Sequence, residues 1–139
     1  MSSAYQTLLR ITVLCVAFVS GFCIMTVELL GGRILSPYFG SSVYVWGSII
    51  TVFMLSLSFG YLFGGKLSTR NPNPVTYALF FVCAALLVTP IILFAEAIME
   101  SVFLVIEDPR YGSLFASLLL FFVPTAILGM ISPYSIRLL

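Results

Sequence analysis

The chain has 139 residues, of which 61% are hydrophobic and 8% charged, with a net charge of +1 and no histidine. An average soluble domain is about 25% charged, so this is the composition of a membrane protein. It argues against a nucleic-acid partner and a histidine metal site, and no cofactor is expected.

Cys15, Cys23 and Cys83 all lie inside apolar runs without C-x-x-C spacing. They read as small packing residues. A bilayer core needs roughly 20 apolar residues per helix. Four stretches meet that requirement, which predicts an all-α polytopic protein forming a single integral-membrane domain over residues 1–139.

The first predicted helix covers residues 11–35. Its apolar run is longer than the core of a signal peptide and no small-x-small cleavage site precedes the charged cluster, so a retained anchor is expected. From Gly21, steps of seven and eleven reach Glu28 and Gly32, which places all three on one helical face. That face suits close approach to a neighbouring helix, with Glu28 turned into the bundle. Arg33 lies about 140° further around an ideal helix. For Glu28 and Arg33 to pair, Gly31-Gly32 would have to break the helix; otherwise each needs a partner elsewhere. These two residues form the candidate intramembrane charge site.

Pro37, Tyr38, Phe39 and Gly40 read as an interface turn after that helix, with Ser41 and Ser42 as caps for the next. Trp46 joins them in an aromatic belt at one membrane surface.

The second helix is expected over 43–66. Its Ser56, Gly60 and Gly64 recur at every fourth residue, a small-residue face for tight helix packing together with Gly21 and Gly32. A basic loop with two Asn-Pro pairs ends it. The third helix is expected over 75–95, with Pro90 as a kink. Residues 96–107 place Glu96, Glu100 and Glu107 opposite Ile98, Val102 and Val105, which predicts a short interfacial helix. The same carboxylates are candidates for a cation-attracting rim. The fourth helix is expected over 111–131, containing Pro124 and Gly129.

Arg10, Lys66, Arg70 and Arg137 fall on one side of this arrangement, whereas Arg33, Arg110 and the loop-level acids fall on the other. By the positive-inside rule this is a multi-pass protein of the cell membrane with both termini cytoplasmic.

The run Glu28-Leu-x-x-x-Arg33-x-Leu-x-Pro37-Tyr-Phe-Gly40-Ser-Ser-x-x-x-Trp46-Gly47 resembles the amino-terminal membrane region of the fused transmembrane spermidine synthase-like family. So do Gly60-x-x-x-Gly64-Gly-Lys-Leu67-x-x-Arg70 and Pro124-x-x-x-Leu128-Gly129-Met-x-Ser132-Pro133-x-x-x-Arg137-Leu. The resemblance covers essentially the whole chain. It implies a membrane part, often labelled major-facilitator-like, of proteins that commonly carry a cytoplasmic aminopropyltransferase domain. The loop from Gly65 to Arg70 is similar to a facilitator loop but lacks its Asp. The glycine-rich nucleotide loop and the acidic residues of the transferase have no counterpart in these residues. An enzyme is therefore not expected here, and the chain reads as a fragment, a truncated relative or a subunit completed by another polypeptide.

Three functions compete. The first is a scaffold or anchoring subunit in contact with lipid, assembled with a protein partner or as a homo-oligomer. The second is part of a transporter for polyamine-like cations, with Glu28 as the cation ligand and the outer carboxylates attracting the amine. The third, an intramembrane enzyme, lacks paired acids, a metal set or an activated nucleophile. One Glu and scattered hydroxyls are a poor replacement for the hydration of a multivalent amine, which favours the scaffold.

Overall fold

Four helices account for almost all of the chain in the computed structural model, which describes residues 3–139. They are α1 (Ser3–Phe39), α2 (Val43–Ser68), α3 (Pro74–Val105) and α4 (Pro109–Leu138). Each is long and apolar enough to cross a membrane, so the chain is an all-α, polytopic membrane protein. Residues 1 and 2 of the expected single domain lie outside the described residues.

The helices are longer than the hydropathy of the sequence suggests. α1 has 37 residues, about 55 Å at 1.5 Å per residue against a hydrocarbon core of about 30 Å. It begins ahead of Arg10 and passes through Gly31-Gly32 without a break. α3 likewise continues through Pro90 to Val105. There is no separate interfacial helix over 96–107: Glu96 and Glu100 belong to α3, and Ile106 to Asp108 form the link to α4. Polar residues on the outer turns interrupt apolarity but not helix geometry, because Glu, Met, Ala and Leu are all strong helix formers.

Local chemistry sets the ends. Gly40 adopts φ +78°, and its N–H donates to the Ser36 carbonyl at 2.9 Å, closing α1 with a left-handed cap. Pro37 therefore sits in the last helical turn and the reversal is only Gly40 to Ser42. Ser42 occupies the N-cap position of α2 but makes no side-chain cap bond, and the Ser41 hydroxyl pairs with that of Ser36 instead. Asn73 and Asp108 cap α3 and α4 through side-chain oxygens that accept from Val75 N at 3.0 Å and Arg110 N at 2.9 Å. A proline follows each at the first helical position.

The antiparallel order gathers the N-terminal ends of α1 and α3 with the C-terminal ends of α2 and α4. α4 is the central helix and touches the other three, while the backbones of α2 and α3 stay apart. Half of the most apolar stretch of α4 is buried, against 11% of that of α1. One apolar cluster, with Leu35, Ile49, Phe53, Met99 and Phe121, fills the half near the α1–α2 turn. A second, with Val13, Tyr77, Phe80, Leu128 and Tyr134, fills the other half.

Candidate functional site

The tightest contact in the bundle is α2 against α4, and the Ser56, Gly60 and Gly64 stripe makes it. The Ser56 hydroxyl donates to the Phe122 carbonyl at 2.6 Å. A β-carbon on Gly60 would collide with the Ala126 carbonyl and come within 3.1 Å of the Gly129 Cα, and one on Gly64 would lie 2.7 Å from the Met130 Cα. The packing face is thus internal to this chain. Its complement, Ala126, Gly129 and Met130, escapes sequence reading because Ala126 and Met130 look like ordinary span residues.

The expected Gly21, Glu28, Gly32 face separates into different environments. Gly21 is exposed, with nothing within 4 Å of the position of a β-carbon, so it seats no neighbouring helix among the described residues. Gly32 does pack: a β-carbon there would lie 2.5 Å from the Trp46 indole, and on Gly31 one would lie 3.1 Å from the Phe121 ring. The glycine pair therefore serves as a seat for two aromatic rings and not as a hinge.

Because α1 stays regular, Glu28 and Arg33 remain on different faces, about 140° apart. No ion pair or hydrogen bond joins them among the described residues. Glu28 is half-buried, on the side of α1 that carries Gly31, Gly32 and Leu35, and Arg33 is exposed. Arg33 instead lines a crevice between α1 and α3 together with Tyr38, Met99 and Glu96.

The aromatic residues at this end hold helices together. Phe39 is 5% exposed; it packs against Gly112 and edge-on to Phe103 at 5.9 Å. The Tyr38 ring lies 6.4 Å from that of Phe103, and its hydroxyl donates to the Glu96 carbonyl at 3.5 Å. Trp46 sits under Gly32. Tyr44 and Trp46 are exposed as a belt requires, and the Arg110 guanidinium lies 4.5 Å from the Tyr44 ring centre.

The carboxylate row is not one stripe. Glu96 and Glu100 are exposed on α3, while Glu107 lies in the link beyond the helix.

The far end contains a polar knot that the sequence did not single out. Tyr134 is 1% exposed, and its hydroxyl accepts from the Asn73 N–H at 2.9 Å. The Tyr77 hydroxyl lies 2.7 Å from that of Ser135 and 3.3 Å from the Val13 carbonyl, so one ring ties α3 to α4 and α1. The only available signal was a pair of tyrosines and a serine in otherwise apolar helices. On α4, Ser117 and Thr125 are buried with hydroxyls that meet no hydrogen-bond partner among the described residues.

A groove of about 820 Å³ runs between α3 and α4 past Pro90 and Pro124, and its walls are overwhelmingly carbon. Among the described residues no three of His, Cys, Asp or Glu gather as metal ligands, and all three cysteines are free thiols.

Comparison with models of protein families, with curated proteins and with solved structures finds no match for this chain.

Proposed function

We propose that the chain is a structural membrane module, a scaffold or anchoring subunit that assembles with a protein partner or with further copies of itself. The observation that carries this reading is how the buried hydroxyls are used. Ser56, Ser113, Tyr77 and Tyr134 each bond to a group on another helix or loop, which locks the helices against one another. The likeness of the segments around Glu28 to Gly47 and Pro124 to Leu138 to the membrane part of spermidine synthase-like proteins supports the same role. In that setting the catalytic domain lies on another polypeptide or another part of a longer one.

The shared position of Arg10, Lys66, Arg70 and Arg137 at one end of the bundle supports a cell-membrane location with that end, and both termini, in the cytoplasm. The second reading, passage of polyamine-like cations, is favoured by one observation, the half-buried Glu28 with no bonding partner among the described residues. Vesicles reconstituted with the purified chain separate the two. The scaffold reading expects spermidine uptake no greater than in empty vesicles. Saturable uptake that disappears in Glu28→Gln would overturn it.

A further inference from the structure

The crevice between α1 and α3 is polar at one end and apolar below. At the α1–α2 end it opens into a cavity of about 500 Å³ lined by Arg33, Tyr38 and Glu96. Leu30 also lines the next cavity, of about 340 Å³, whose walls include Phe22, Cys23, Val27, Ala85 and Val88. Arg33 and Glu96 are both exposed, and neither side chain forms an ion pair among the described residues. A cation and an anion thus share one mouth, each free to bind something else.

Depth and length fix what that is. Arg33 follows Gly32, on which the Trp46 indole rests, and tryptophan marks the headgroup level of a bilayer. From Arg33 down to Phe22 is eleven residues of α1, about 16 Å of rise. One leaflet of the hydrocarbon core is about 15 Å thick. The crevice from its charged mouth to Phe22 is therefore about as deep as one leaflet, and its mouth lies where a headgroup would sit.

We propose that this crevice is a binding site for a zwitterionic phospholipid of the phosphatidylethanolamine type. Arg33 takes the phosphate, Glu96 takes the ammonium, and one acyl chain lies along α1 and α3 past Leu30 to Phe22. A phosphate bound to a guanidinium and an ammonium bound to a carboxylate are both charge-assisted contacts. An anionic lipid leaves Glu96 unanswered, and a free polyamine is repelled by Arg33. An apolar transmembrane helix seated on the same crevice would leave both charges at its mouth unanswered.

The test uses the full chain in nanodiscs of equal parts phosphatidylethanolamine, phosphatidylcholine and phosphatidylglycerol, followed by native mass spectrometry of the lipids retained in detergent. The ethanolamine lipid is expected to be retained roughly fivefold over the glycerol lipid, the effect of about one kcal/mol from an exposed ion pair. Glu96→Gln removes that preference, and Arg33→Gln lowers retention of all three. Ala85→Trp, at an exposed position of the apolar wall, also lowers all three while leaving both charges in place. Unchanged helicity and melting of each variant establish that the fold persists. Equal retention of the three lipids by the native chain, or an ethanolamine preference that survives Glu96→Gln, would overturn the proposal.

Discussion

Replacing Gly60 by alanine tests the α2–α4 interface with the smallest possible perturbation. The added methyl group meets the Ala126 carbonyl and the Gly129 Cα, both backbone, so no side-chain rotation relieves it. Overpacking of this kind costs about 1–3 kcal/mol. Separating the helices also stretches the bond from Ser56 to the Phe122 carbonyl, worth about 0.6 kcal/mol in membrane proteins. Against this, alanine is favoured over glycine within a helix by about 1 kcal/mol. The net expectation is a loss of about 0.6–2.6 kcal/mol, the sum of those contributions. Gly65→Ala is the matched control. A β-carbon at Gly65 meets nothing within 4 Å, so only the helix-propensity gain remains and the variant should be as stable as the native chain or more so. Reversible unfolding in mixed micelles, followed by circular dichroism, measures both. Equal stability of Gly60→Ala and Gly65→Ala would refute the close backbone approach of α2 and α4.

Gly32→Ala should shift the emission of Trp46, the single tryptophan, because the new methyl group displaces the indole; an unchanged spectrum would remove the ring from that seat. Tyr77→Phe deletes the hydroxyl shared by Ser135 and the Val13 carbonyl and should lower stability by about 0.6–1.7 kcal/mol. Its largest effect should be faster amide exchange at the start of α3, measured by mass spectrometry. Ser117→Ala removes a buried hydroxyl that has no partner and should be neutral or stabilising, whereas Ser56→Ala should destabilise; the opposite order in the unfolding assay would contradict both assignments.

The number of spans, their antiparallel order and the close-packing role of Ser56, Gly60 and Gly64 were legible in the sequence, because each depends on composition or on a period of about 3.6 residues. What composition could not supply is the other side of each contact. Gly21, Gly32 and Gly60 look equivalent on paper. Yet Gly21 faces open space, Gly32 seats an indole and Gly60 meets a backbone. Helix ends were misplaced for a related reason. Hydropathy marks where a bilayer core ends, and helical hydrogen bonding continues beyond it, through Phe39 in α1 and Val105 in α3. The polar knot at Tyr77 and Tyr134 joins residues about sixty positions apart, beyond the reach of any local pattern.

Glu28 brings these strands to one measurement. It lies five residues before Arg33 on a regular helix, about 7.5 Å deeper, and no donor from the chain bonds to it among the described residues. A charged side chain at the centre of a membrane helix costs about 2.5–3.5 kcal/mol. Glu28 is off-centre and half-buried, so Glu28→Leu should stabilise the isolated chain by a smaller amount, about 1–2 kcal/mol by the same scale. An isolated module gains nothing from retaining such a group, but a module that assembles does when a donor from the partner answers the carboxylate on docking. The expected signature is thus a divergence between two readouts of one variant. The purified Glu28→Leu chain unfolds at higher denaturant, while the complex isolated from native membranes dissociates more readily. Loss of stability in the isolated chain would mean that an internal group already neutralises Glu28, and the argument for assembly through this carboxylate would fall with it.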